Sequence, residues 1–275
     1  MIETRFEQPP MRFILWKTAL TASVTALLLT ACLAQQPQSG PPTSAAVVAV
    51  PAAGAVALQE RREWRFDSDG IRFDNQLPAA RLSAVERVGN GVYRVNIAPE
   101  TYPINPSPWY GFRIHSDAPR ALELQFTYPH QFRHRYVPKL SRDGRTWQEA
   151  DAQSFVVDAE GNARLQLQLE AGELRVFAQP PFLPEDFAAW SARFAAQVDA
   201  QPQTFGTSVQ GRPLQLFEFG AGVQAPVVLV LGRQHPPENT GTRALLGFVE
   251  TLAADTPQAR AFRERVHVLV APLLN

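Results

Sequence analysis

Apolar and polar positions change their period twice along this chain, and each change predicts a different kind of element. From Arg61 onward the apolar residues alternate in short runs: Trp64, Phe66; Ile71, Phe73; Val92, Tyr93, Val95, Ile97; Trp109, Tyr110, Phe112, Ile114; Leu122, Leu124, Phe126; Phe155, Val156, Val157; Leu165, Leu167, Leu169; and Leu174, Val176, Phe177. Successive side chains of a strand point to opposite faces, so period two with aromatic and β-branched content predicts half-buried strands. Turn pairs at Asp69-Gly70, Asn90-Gly91, Asp143-Gly144 and Glu160-Gly161 separate several of them. Residues 60–180 are therefore expected to form an antiparallel β-sandwich of about eight strands, without a helix of any length.

Beyond the prolines of Gln179-Pro180-Pro181 the period lengthens. Phe187, Trp190, Phe194 and Val198 recur at three- and four-residue steps, which predicts an amphipathic helix from Glu185 to Asp199 with Pro184 and two acids at its first turn. A hairpin follows: Thr204 to Val209, the turn Gln210-Gly211-Arg212-Pro213, then Leu214, Leu216, Phe217 and Phe219. The nearly all-apolar run Pro226 to Gly232 predicts a strand covered on both faces. A helix from Thr242 to Ala254 and a second strand from Val266 to Leu273 complete a β–α–β unit. Residues 184–275 thus read as α/β, with a parallel or mixed sheet.

Charge changes the picture at the N-terminal end. The 275 residues carry 26 Lys+Arg against 26 Asp+Glu, a balance that excludes a nucleic-acid protein held by bulk charge. Between Thr18 and Gln59, however, the only ionisable side chain is Cys32. Met11-Arg12 and Lys17 precede the apolar run Thr18–Ala31, the order of a secretory signal. That run is shorter than the roughly 20 residues a spanning helix needs. Its end, Leu29-Thr30-Ala31-Cys32, resembles a bacterial lipobox. The resemblance implies lipidation of Cys32, a signal segment over 1–32, and a protein exported to the bacterial periplasm and held to a membrane through that lipid. Ala34, where an aspartate would retain such a protein at the inner membrane, favours the outer one. Residues 33–59, rich in Gln, Pro, Ser and Ala, read as a flexible tether.

The single Cys excludes a disulfide scaffold and a cysteine-based zinc site, so any chemistry falls to other residues. The strongest candidates lie where the first buried strand ends, in Arg233-Gln234-His235-Pro236-Pro237-Glu238-Asn239-Thr240-Gly241. Ligand sites of open α/β sheets gather outside the carboxyl ends of strands. The two prolines keep the segment extended as it leaves the strand, and an imidazole and a carboxylate three residues apart can then face one pocket. A zinc ion takes His nitrogen at about 2.0–2.1 Å and carboxylate oxygen at about 2.0–2.2 Å, and two His, one Glu and a water make a catalytic set. His235 and Glu238 would supply two of those three protein ligands; a plain His–Glu hydrogen bond on a loop fits the same spacing. Arg233 and Asn239 are candidates for substrate contact or for orienting a ligand. In the sandwich region Tyr128, His130, Arg133, His134, Arg135 and Tyr136 cluster between strands and read as a solvated edge with two surface histidines. His115 and His267 alternate with apolar neighbours and are expected to face solvent or a satisfied interior.

Three stretches in order, Gly206-Thr207-Ser208-Val209-Gln210-Gly211-Arg212-Pro213-Leu214, Gly232-Arg233-Gln234-His235-Pro236-Pro237-Glu238-Asn239-Thr240-Gly241 and Ala271-Pro272-Leu273-Leu274-Asn275, resemble the zinc carboxypeptidase family. Asn105 to Ile114, Tyr136-Val137-Pro138, Asp143-Gly144 and Trp147 are similar to the sandwich that precedes the catalytic domain in its cytosolic-carboxypeptidase-like branch. Pro237 departs from the glycine usual there. The resemblance implies zinc held by His235 and Glu238, and hydrolysis of the C-terminal residues of peptides, peptidoglycan-derived ones among them. It also implies that a third zinc ligand, the residues binding a substrate carboxylate and the general-base glutamate lie past Asn275, so that this chain is an N-terminal fragment with a truncated catalytic domain, inactive alone. Two alternatives stay open: a related zinc amidohydrolase, and an envelope lipoprotein binding module with a vestigial metal site.

Overall fold

The computed structural model describes residues 59–99, 109–129, 132–208, 210–235 and 237–274. All of them belong to one compact unit that begins at Ala52. The signal segment with Cys32, nearly all of the tether, and Asn105, His130, Val209, Pro236 and Asn275 lie outside the described residues. Among the described residues no helix is long and apolar enough to cross a membrane.

Eleven described strands come first: β1 (Glu63–Phe66), β2 (Ile71–Asp74), β3 (Ala84–Gly89), β4 (Val92–Asn96), β5 (Gly111–Ser116), β6 (Arg120–Thr127), β7 (Lys139–Ser141), β8 (Gln148–Glu149), β9 (Phe155–Val157), β10 (Ala163–Leu169) and β11 (Gly172–Phe177). They form a six-stranded sheet, β1-β2-β5-β11-β7-β8, and a five-stranded sheet, β3-β4-β6-β10-β9. The alternation seen in the sequence sorts the side chains: Ala163, Leu165, Leu167 and Leu169 of β10 are buried while Arg164, Gln166 and Gln168 between them are exposed. Phe73, Ile114 and Val176 of one sheet and Val95, Leu124 and Leu165 of the other share one hydrophobic cluster. Gly70, Gly91, Gly144 and Gly161 of the expected turns all have positive φ.

All eight expected runs are strands, and the additional β3, β7 and β8 are short or polar. β3 buries Val85 alone and exposes Glu86 and Arg87, so its hydrophobic pattern is nearly silent. One ladder departs from antiparallel pairing: β4 and β6 run parallel, with Val92 opposite Glu123. Between them the chain crosses to the other sheet for β5 and returns, so β6 arrives in the direction that β4 left. A buried polar residue fixes the entry to this region. Asn75 donates to the carbonyls of Glu60 and Leu82 at 2.9 and 3.0 Å and accepts from the Arg62 amide at 2.8 Å.

The C-terminal part comprises α1 (Pro184–Val198), β12 (Gln203–Thr207), β13 (Pro213–Gly220), β14 (Val227–Leu231), α2 (Asn239–Ala253), α3 (Pro257–Arg263) and β15 (His267–Ala271). At the start of α1 the Asp186 carboxylate accepts from the Leu183 amide at 2.8 Å, satisfying a donor that the helix leaves free. Its apolar face stacks Trp190 on Phe194, with ring centroids 4.8 Å apart, and sets both edge-on to Phe217. The sheet order is β12-β13-β15-β14; β13 pairs antiparallel and β14 parallel with β15, the mixed sheet expected. Phe217, Phe219, Val268 and Val270 of the inner face pack with Leu246 and Val249 of α2.

Two expectations need correction. Among the described residues the run at β14 is covered on one face only: Val227, Leu229 and Leu231 are 54, 56 and 48% exposed, while Val228 and Val230 of the other row are partly buried. A continuous apolar run records two apolar faces without saying that both are covered. The sequence reading also passed over α3, a short helix with Pro257 in its first turn and Thr256 accepting from the Ala259 amide at 3.2 Å.

Candidate metal-binding loop

β14 and β15 run parallel, so their carboxyl ends emerge side by side, and the loop after β14 begins there. The Gly232 amide donates to the Ala271 carbonyl at 3.0 Å, and the Leu274 amide lies 3.2 Å from the carbonyls of both Gly232 and Arg233. The two exits approach so closely that a β-carbon on Gly232 would stand 2.8 Å from the Pro272 oxygen and 2.6 Å from Leu245 Cδ1. Glycine is the residue that fits.

The chain then turns sharply. Arg233 has φ +40°, a left-handed conformation uncommon for a non-glycine residue. Its guanidinium is partly buried and donates to the Phe182 carbonyl at 2.6 Å. Burial lowers its pKa, opposed in part by the charge of Glu238. Two residues later a tight turn, closed by the Glu238 amide on the His235 carbonyl at 3.3 Å, brings the two candidate ligands together. His235 Nδ1 lies 2.6 Å from Glu238 Oε1. Glu238 Oε2 accepts from the amides of Gln234 and His235 at 2.8 and 3.2 Å. The Glu238 carbonyl opens α2 by accepting from the amide and hydroxyl of Thr242 at 2.9 and 2.8 Å.

Burial raises the Glu238 pKa, but the hydrogen bonds from the His235 ring and the two amides outweigh it and hold the carboxyl below its usual range. Glu238 is therefore an anion near neutral pH, the form that a metal requires. An ionised carboxylate only accepts, which places a proton on His235 Nδ1 in this geometry. The two side chains are 48 and 41% exposed, open to an ion from solvent. Among the described residues no three His, Cys, Asp or Glu come together as a metal set. The loop thus offers two donors of different chemistry on one side of a prospective ion, with an ionised carboxylate already oriented.

The other residues singled out in the sequence lie as follows. Asn239, the first residue of α2, is 2% exposed, and neither Oδ1 nor Nδ2 has a hydrogen-bond partner. Neither it nor Arg233 has a hydrogen bond to the side chain of His235 or Glu238; Arg233 turns to Phe182 instead. His267 is buried with both nitrogens engaged, Nδ1 with the Ala221 carbonyl at 2.8 Å and Nε2 with Glu218 at 3.2 Å, a satisfied interior histidine. His115 sits 3.3 Å from Asp117.

His134 is not a surface histidine. Rings of Tyr110, Phe126, Tyr128 and Phe155 surround it at 5.2–5.8 Å. Its Nε2 donates to the Tyr136 carbonyl at 2.5 Å and its Nδ1 accepts from the Tyr128 hydroxyl at 2.6 Å, and burial pushes its pKa down to about 4. His134 with Tyr128 thus forms a partly buried hydrogen-bonded element against the core, while Arg133 and Arg135 of the same cluster are exposed, as expected of an edge. At the opposite end of the C-terminal sheet an open cavity of about 520 Å³ is lined by Val198, Phe219, Arg260 and Arg263. Both arginines are engaged, Arg260 with Asp255 and Arg263 with the carbonyls of Leu252 and Ala254.

Residues 189–275 match the zinc carboxypeptidase family model. Cytosolic carboxypeptidase 6 of Mus musculus is 32% identical over 79 residues, which are 26% of this chain and 15% of that protein. A metallo-carboxypeptidase from Burkholderia cenocepacia shares the fold with a TM-score of 0.63 at 20% identity, over 74% of this chain and 56% of that one. A metallo-carboxypeptidase from Pseudomonas aeruginosa, solved in complex with (2-guanidinoethylmercapto)succinic acid, aligns with a TM-score of 0.57 at 21% identity, over 74% of this chain and 55% of that one. The chain spans about half the length of these solved structures and a smaller share of the mouse protein.

Proposed function

We propose, on the premise that residues 189–275 are a zinc carboxypeptidase segment, that this chain belongs to a metallocarboxypeptidase hydrolysing the C-terminal residues of peptides in the bacterial envelope. The observation carrying this reading is the meeting of His235 and an ionised Glu238 just past the carboxyl ends of two parallel strands. Residues 60–180 are read as a β-sandwich domain placed before the catalytic one, and residues 184–275 as the first part of that catalytic domain. The lipobox-like Leu29-Thr30-Ala31-Cys32 supports export and a lipid anchor at Cys32.

The donor set fits zinc in kind, an imidazole nitrogen beside a carboxylate. His235 and Glu238 would hold the ion, which when bound polarises a scissile carbonyl and activates water. The amides of Gln234 and His235 keep one Glu238 oxygen fixed, so the carboxylate enters the site oriented and ionised. His235 gives up its Nδ1 proton to solvent if that nitrogen takes the metal. The third ligand and the general base are read as lying past Asn275, a reading supported by the greater length of the solved relatives.

A second reading, a lipoprotein binding module with a vestigial metal site, draws on the lipobox-like Leu29-Thr30-Ala31-Cys32 and on the two-sheet region that precedes the loop. The deciding experiment extends the sequence through the rest of the gene and assays the full-length product on peptides with free and amidated C-termini, with and without a chelator. Chelator-sensitive release of single residues from free C-termini is the expected result. Equal cleavage of amidated peptides would point to a general amidase, and no cleavage with no zinc retained would point to the binding module.

A further inference from the structure

The segment that joins the two parts of the chain also grips the candidate metal loop. Three side chains reach back to it from the loop and the first turns of α2. Arg233 donates to the Phe182 carbonyl at 2.6 Å. Arg243 donates to the Pro181 carbonyl at 3.3 Å and lies 5.3 Å over the Phe182 ring. The Thr240 hydroxyl donates to the Gln179 side chain. Phe182 itself is buried in the core that α1, β13 and α2 share, so the strap is fixed at one end in that core. At the other end it continues from β11, whose Phe177 and the following Ala178 belong to the core of the two-sheet region.

Held against this strap is Arg233, one of three described non-glycine residues with a positive φ. A left-handed Arg233 persists only where its surroundings over-determine it. The guanidinium bond to Phe182 on one side and the Leu274 amide on its own carbonyl on the other supply that constraint. The backbone direction set at Arg233 determines where the amides of Gln234 and His235 point, and those two amides hold Glu238.

We propose that Arg233 is a positioning residue, and that residues 179–182 act through it as a strap holding the His235–Glu238 pair in ligand geometry. The two-sheet region then bears on the metal site mechanically, by way of a backbone carbonyl, without lending it a ligand. The inference rests on the metal-binding reading above for its consequence, and on the geometry alone for the strap itself. Partners that orient the ligands of a metal typically change its affinity by about 10–100-fold when removed.

The test uses the full-length gene product, with the segment past Asn275 included, carrying Arg233→Ala, Arg233→Lys or Arg243→Ala. Arg243 is exposed and outside the loop, so its truncation leaves the fold intact if the half-buried Arg233 proves intolerant of change. Two quantities are read: amide hydrogen exchange over residues 232–238 without metal, and zinc affinity by competition with a chromophoric chelator. Arg233→Ala should speed exchange across the loop and weaken zinc by about tenfold or more. Arg233→Lys, which keeps a cationic donor, should recover part of both, and Arg243→Ala should move both in the same direction by less. Unchanged exchange and affinity in Arg233→Ala and Arg243→Ala would overturn the strap. A wild type that takes up no zinc while Arg233→Ala still speeds exchange would defeat the metal reading and leave the strap standing.

Discussion

Gly232 and Pro272 meet across the exits of the two parallel strands so closely that the place of a missing β-carbon is 2.8 Å from the Pro272 oxygen. Because that oxygen is backbone, it can yield only if β15 shifts along with it. Gly232→Ala should therefore destabilise the C-terminal part by about 1–3 kcal/mol. Thermal unfolding should show a lowered Tm for the variant, and an unaltered Tm would mean that the strand ends are looser than the geometry requires.

Replacing either member of the loop pair should separate metal binding from folding. His235 and Glu238 are both substantially exposed, so in the full-length product His235→Ala and Glu238→Gln should leave circular dichroism and Tm near wild type while abolishing zinc retention on dialysis. Glu238→Gln matters most for the assignment, since it keeps the shape of the side chain and removes only the negative charge. Zinc bound equally well by this variant would move the site elsewhere.

The enclosed His134 predicts a pH dependence with a definite sign. Its folded pKa of about 4 lies below the ordinary histidine value of 6.5, so between these values the unfolded chain binds a proton that the folded chain refuses. Stability is fully present above about pH 6.5 and falls as pH drops towards 4, with a slope of up to about 1.4 kcal/mol per pH unit from this group. Denaturant melts at several pH values should show this slope in the wild type and a flatter one in His134→Gln.

Asn75 satisfies three backbone groups at the start of the two-sheet region and is fully buried. Asn75→Ala strands those groups in a dry environment and should cost about 2–4 kcal/mol. Asn75→Asp tests the same contacts differently, because two of them need a donor that a carboxylate lacks. Chemical denaturation should rank wild type above both variants; a neutral Asn75→Ala would show that water replaces the amide.

Much of this architecture was legible because burial follows simple periods. Leu165, Leu167 and Leu169 alternate in the sequence and lie buried on one row of β10, and Phe187, Trp190 and Phe194 keep to one face of α1. What escaped had little apolar signal of its own. β3 gains its place by pairing with β4, and His134 looks polar in sequence although aromatic rings enclose it in space. At the loop, the spacing of His235 and Glu238 announced their proximity, but a turn closed by the Glu238 amide on the His235 carbonyl brings the pair together, and not the extended exit expected from the two prolines. The grip of Phe182 on Arg233 spans 51 positions and runs through a carbonyl that every residue possesses, so no motif could signal it.

The order β12-β13-β15-β14 gives the last strand of the sequence a seat in the middle of its sheet. During synthesis β13 and β14 must leave the ribosome and wait, each with its hydrogen-bonding edge bare, until residues 267–271 emerge to fill the gap between them. A premature stop or a protease cut just after α3 would remove a keystone instead of trimming a margin, and β14 would lose its sole described neighbour. Such shortened products should be captured by chaperones and degraded.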